Sequence, residues 1–146
     1  MSVRVYTTQA RERMDVIRRS TRERIIEVTR DATAALLNET QREAPKDTGE
    51  LAQKQRMTMK TDGDVIEGRV ETFAEHAVYV HEGTGIYARK GNGRKRPWGY
   101  TVESNRSKYQ GFHWTWGQKP KPWMEDIMKL RKPDIVRMYI SVVTDK

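Results

Sequence analysis

From Thr8 to Glu43 the chain contains neither glycine nor proline, and no feature constrains its fold more. Met14, Ile17, Thr21, Ile25, Val28, Ala32 and Ala35 recur at steps of three or four, which places them on one face of a helix. Arg11, Arg13, Arg18, Arg22, Glu23 and Arg30 fall mostly elsewhere. Leu36 and Leu37 widen the apolar stripe near the end, so the C-terminal half is expected to be buried more deeply. The arginine-rich N-terminal half is expected to project or to meet another chain.

Pro45 ends this helix, because its ring disfavours an α conformation at Ala44 and supplies no N–H. In "APKDTGEL", Asp47 and Thr48 suit side-chain bonds to nearby amides, and Gly49 tolerates positive φ. Two strands are expected next, "KQRMTMKT" and "DVIEGRVET", joined by a turn at residues 62–64. Met57 and Met59 share a face of the first. In the second, Ile66 and Val70 share the face expected to point inward, across Gly68. Residues 85–117 read as an extended loop whose pieces "WGYTV" and "GFHWTWG" have the residue types of a hairpin. Pro122 suits the first turn of a closing helix. Pro133 is expected to interrupt that helix and begin a second piece, helical or, since "MYISVV" has the residue types of one, a strand. The whole is an α+β fold in one domain, residues 1–146: a long N-terminal helix packed on a small antiparallel sheet, a basic aromatic loop or extended hairpin, and a C-terminal helix.

The charge is concentrated. The chain carries a net +8, and residues 85–122 alone hold nine basic side chains (Arg89, Lys90, Arg94, Lys95, Arg96, Arg106, Lys108, Lys119, Lys121) against one acid, Glu103. Eight of the twelve aromatics lie between residues 85 and 123, interleaved with those cations. Such a segment attracts polyanions or an acidic protein surface over a Debye length of about 8 Å at physiological salt. With bases stacked on Trp98, Trp114 and Trp116, it would serve as a nucleic-acid-binding module. As protein surface, Trp114, Trp116 and Trp123 would instead be partly core or interface anchors. A mean hydropathy of -0.90 is low for a self-sufficient globule, which points to apolar surface completed by partner subunits.

The stretch "YVHEGTG", Tyr79 to Gly85, brings a histidine and a glutamate together and raises the question of chemistry. The chain has no cysteine, which excludes disulfides and thiolate chemistry. His76 and His81 are five apart, whereas helical zinc motifs need a spacing of four. His113 lies far along the chain. On a strand, His81 and Glu82 would point to opposite faces. The serines at 2, 20, 104, 107 and 141 lie in no nucleophile-elbow context, and no glycine loop has the order of a phosphate cradle. The expectation is a non-enzymatic protein with no metal, cofactor or membrane span. Its N-terminus lacks an apolar signal-peptide centre.

"APKDTGEL" from Ala44, "HAVYVHEGTG" from His76 and "KPKPWMEDIM" from Lys119, following a long helix, resemble in that order the tail-component family of long-tailed bacteriophages, also called neck or tail-completion proteins. The family shows Ala-Pro-x-Asp-Thr-Gly-x-Leu, then an aromatic-Ala-x-Tyr-Val motif running into Gly-Thr, then a Pro-aromatic-hydrophobic motif opening the last helix. Here His76 replaces the aromatic, Trp123 and Met124 stand where Phe and Leu are common, and residues 86–117 exceed the usual length. The resemblance implies a structural virion protein of the neck or head-proximal tail end, made in the bacterial cytoplasm. It implies a homo-oligomeric ring, hexameric or dodecameric, contacting head-tail connector, tail terminator or tail-tube proteins, with non-specific contact to phage DNA. Pro45, Asp47, Thr48 and Gly49 would then form one turn. Gly83 and Thr84 would form another, with Tyr79 and Val80 anchoring the core and His81 and Glu82 at its rim. Arg89, Lys90, Arg94, Lys95, Arg96, Trp98, Trp114, Trp116, Pro122 and Trp123 would face an interface or DNA.

Overall fold

In the computed structural model, the described residues are 7–103, 105 and 107–144. Arg106, Ser2 and Ser104 lie outside them. Helix α1 spans Thr7–Glu43 and is followed by a single turn, α2, at Glu50–Gln53. Strands β1 (Gln55–Asp62) and β2 (Val65–Thr72) form an antiparallel hairpin in which Asp62 faces Val65. Gly63 takes the positive φ that the two-residue loop demands. Helix α3 (Ala77–Glu82) and a 3-10 turn at Gly85–Tyr87 lead to a second antiparallel hairpin, β3 (Trp98–Val102) with β4 (Gly111–Thr115). Helix α4 (Trp123–Thr144) closes the fold. This is the expected α+β arrangement, with two two-stranded sheets.

The buried stripe of α1 consists of Thr29, Ala32, Thr33 and Thr40. Three of these are threonines whose hydroxyls bond back to the preceding turn: Thr29 to the Ile25 carbonyl (2.7 Å), Thr33 to that of Thr29 (2.6 Å) and Thr40 to that of Leu37 (3.0 Å). With the hydroxyls satisfied, they pack as small apolar groups. β2 approaches them closely at Gly68, where a β-carbon would collide with the Thr33 hydroxyl and crowd the Thr29 methyl. Ile66, Val70, Met57 and Met59 are half-buried around that contact, so the expected inward face is correct.

The deeper burial of the C-terminal half of α1 is also as expected, since residues 11–20 are exposed throughout. Three members of the expected stripe are corrected. Met14 and Ile17 are exposed, because α1 outruns the elements that pack on it, and Ala35 is exposed because the stripe follows the close approach at Gly68.

The main core gathers at the C-terminal end of α1: Ala44, Leu51, Ala74, Ala77, Val80, Trp123 and Ile127, with Leu36 and Met124 against them. Gln55 is fully buried there and donates from Nε2 to the carbonyls of Thr40 (3.3 Å) and Leu51 (3.0 Å). α4 lies along α1. Arg131 makes a two-pronged pair with Glu39, both bonds 2.7 Å, and the Tyr139 and Thr29 hydroxyls meet at 2.7 Å. These contacts lie on either side of Pro133 and hold the helix through it. The expected break at Pro133 is therefore absent: one lost backbone bond is outweighed by packing on both sides.

Candidate functional site

The segment after Gly83 leaves the body as an arm whose base is a backbone staple. Thr84 N–H donates to the Gln118 carbonyl (2.9 Å), Ile86 N–H to the Trp116 carbonyl (3.0 Å), and Gln118 N–H to the Thr84 hydroxyl (2.9 Å). Lys121 N–H reaches the Val80 carbonyl at 2.8 Å. Chains this close leave no space for side chains. A β-carbon on Gly83 would press on Gln118 O and Pro120, and one on Gly85 would overlap the Trp116 carbonyl. Both glycines also take positive φ, at 74° and 59°.

The tip of the arm is held by the other turn motif. Asp47 accepts from the Ser107 hydroxyl (2.8 and 3.0 Å) and from the Lys108 amide (3.1 Å). Thr48 accepts from the Glu50 amide at 3.4 Å, and Gly49 takes φ 81°. Pro45 lies beside them on the wall of the cleft. The two motifs are far apart in sequence, yet each grips one end of the same hairpin. Between hairpin and body runs a cleft of about 660 Å³ bordered by Tyr100, Val102 and Thr115 on one side and Lys46, His76 and Val80 on the other.

Pleating sorts the arm into two faces. Trp98, Tyr100, Val102, His113 and Thr115 share the face toward the cleft, whereas Phe112 and Trp114 share the opposite one, with Trp116 just beyond the strand. All three of the latter are exposed, Trp114 at 71%. Phe112 sits over Gly99, where a β-carbon would strike its ring, and meets Trp114 edge-on at 5.8 Å. Cations lie over other aromatics of the segment. Arg94 lies over the Trp98 ring at 5.6 Å and Lys119 over Tyr87 at 5.9 Å. Arg94, Lys95 and Arg96 have no carboxylate partner among the described residues, nor does Lys90. Arg89 does, bonding Glu125 at 3.0 Å. That carboxylate also accepts from Lys129 (2.6 Å), and the two cations hold it at about 2, well below the ordinary value of 4.5.

Several expected placements are corrected. Residues 77–82 are helical, so His81 and Glu82 are not on opposite faces of a strand. His81 Nδ1 lies 3.1 Å from Glu82 Oε1, and its ring stands edge-on to Trp123 at 6.1 Å. Tyr79 points outward, because a helix turns it away from buried Val80, which does join the core. Trp123 is buried at 7% and so faces neither DNA nor a partner; half-buried Pro122 precedes it and supplies the carbonyl for the Asp126 amide (2.9 Å). The histidines serve three separate places, His76 beside Glu50 (3.7 Å) and His113 on the Tyr109 carbonyl (2.7 Å). Among the described residues no group of three His, Asp or Glu side chains could hold a metal ion, and no helix is long and apolar enough to cross a membrane.

The arm is thus two-faced, with its charged and aromatic groups spread over a surface. A family model described as "Bacteriophage HK97-gp10, putative tail-component" matches residues 9–83, just over half of the chain, and the chain belongs to that family. The match covers α1, the first hairpin and α3 and stops at Gly83, where the arm begins. No curated protein and no solved structure matches the chain.

Proposed function

We propose that this tail component is a subunit of the phage neck or head-proximal tail end that assembles as a homo-oligomeric ring and joins the tail to the head connector. The carrying observation is surface. The single chain exposes 11484 Å², whereas a compact 17.1 kDa globule exposes roughly 7,800 Å². Even fully extended, the eight terminal residues outside the description (1–6, 145 and 146) would account for roughly 1,300 Å². The remaining excess, roughly 2,400 Å², falls in the range of obligate subunit interfaces, about 2,000–5,000 Å². The exposed aromatics of the arm supply surface of the composition such interfaces favour.

Light scattering on the purified chain and negative-stain imaging of virions test this reading. The expected outcome is a ring in solution and label at the head-to-tail junction. A monomer at all concentrations that is missing from particles overturns it.

Arg94, Lys95 and Arg96, which have no carboxylate partner among the described residues, favour a second reading, in which the arm contacts DNA without sequence readout. It predicts oligonucleotide binding with a steep salt slope, lost in the triple alanine variant.

A further inference from the structure

The cleft between arm and body combines a concave shape with unbalanced charge. Its lining includes apolar Leu51 and Val80 on the body and Val102 on the arm. Four lysines border it, Lys46 and Lys108 beside the Asp47 clasp and Lys119 and Lys121 beside the backbone staple. All four are exposed, and none has a carboxylate partner among the described residues. Lys108 lies over the Tyr109 ring at 5.0 Å and Lys119 over Tyr87. The two bordering acids are engaged elsewhere, Asp47 with the Ser107 hydroxyl and the Lys108 amide, Glu50 with Lys54. A cleft with an excess of one sign over low-dielectric walls concentrates the field and draws in the opposite charge.

We propose that this cleft holds an acidic, extended segment of a partner protein, with carboxylates on the lysines at either end and apolar side chains against Leu51, Val80 and Val102. The volume of about 660 Å³ lies within the range of sites that enclose a ligand, about 300–1,000 Å³, so the cleft takes a short stretch of chain and not a folded surface. Single-stranded nucleic acid is the rival, since it shares the negative charge, but it needs aromatic faces for its bases. The exposed Phe112, Trp114 and Trp116 stand on the opposite face of the arm, and Tyr100, within the cleft, already leans on His113 at 5.7 Å. No arginine borders the cleft among the described residues, although the arginine fork is the better match for phosphate. Arg94, Lys95 and Arg96 carry similar charge but do not border the cleft, which makes them its control. The proposal stands apart from the ring reading, because a ring subunit and a monomer would carry the same cleft.

Fluorescence anisotropy on the full chain tests it with two probes, a short labelled peptide of alternating glutamate and leucine and a labelled oligothymidylate. The peptide is expected to bind, and to bind less tightly as salt rises. Lys46→Ala, Lys119→Ala and Lys121→Ala combined are expected to weaken it at least about tenfold. Arg94→Ala, Lys95→Ala and Arg96→Ala combined, which leave the same net charge, are expected to change it less than about twofold. Should the lysine variant lose helix content, Val102→Asp, which sets a charge like the peptide's own on the cleft wall, is expected to show the same loss. A peptide that does not bind, or that is weakened equally by both triple variants, overturns the proposal. Oligothymidylate binding that is lost in the cleft variant and kept in the loop variant assigns the cleft to nucleic acid and also overturns it.

Discussion

The body and the arm of this protein are stabilised by opposite means. In the body, α1, α4 and the first hairpin bury small side chains against one another, and side-chain bonds such as Glu39 with Arg131 join elements ninety-two positions apart. In the arm, Phe112, Trp114 and Trp116 are exposed on the outer face while Tyr100 borders the cleft, and a few backbone bonds at Thr84 and Ile86 with the Asp47 clasp fix its position. The body has a buried core of its own, while the arm is held in position with its outer face uncovered. A scaffold of fixed shape that displays an uncovered surface is what a virion building block requires.

The two regions contain tryptophans that should behave oppositely. Trp123→Ala removes a core side chain and is expected to cost about 3–5 kcal/mol, read as a large drop in Tm. Trp114→Ala should change the Tm of dilute protein by less than about 0.5 kcal/mol equivalent, and equal losses would erase the distinction. Next in size, Gly85→Ala meets both a positive φ and the Trp116 carbonyl, at about 1–3 kcal/mol. Gly91→Ala has the same φ problem in open space and serves as its control at about 1 kcal/mol. Hydrogen exchange at the Ile86 amide should accelerate in the first variant only.

Asp47→Ala leaves the Ser107 hydroxyl and Lys108 amide without their acceptor, about 1.5 kcal/mol, with faster exchange at Lys108 and an unchanged body. The smallest effect is electrostatic. The Glu125 carboxyl is depressed from 4.5 to about 2 by Lys129 and Arg89, so the folded chain binds fewer protons there than the unfolded one. Its contribution is present in full above pH 4.5 and is lost as pH falls toward 2. NMR titration should place the midpoint near 2, moving upward in Arg89→Ala; an unmoved midpoint would mean that Arg89 does not tie the arm base to α4.

Much of the body was legible because its signals are local: the run without Gly or Pro, the turn at Gly63 and the alternation around Gly68. The expected stripe of α1 held from Thr21 to Ala32 but missed Thr29, Thr33 and Thr40, because hydropathy scores threonines as polar until their hydroxyls are seen to bond the preceding turn. Residues 77–82 gave no helical signal, being too short for periodicity to register. Pro133 was read locally, whereas Glu39 and Thr29 hold α4 on both sides of it. The glycines of "HEGTG" were legible as a turn, but the segment they lie against, residues 116–118, was not, since nothing in sequence announces which backbone will lie against another. The Asp47 clasp on Ser107 was missed for the same reason; a lone aspartate in a turn has many local uses.

Hydrogen exchange of the purified protein across its assembly concentration tests most directly whether the arm is surface meant for other chains. The account predicts that amides of β4, residues 111–115, gain protection as the mass rises, while amides of α1 from Thr29 to Thr40 are protected throughout. Arm amides equally protected at every concentration, or a rise in mass that leaves them exchanging freely, would contradict it.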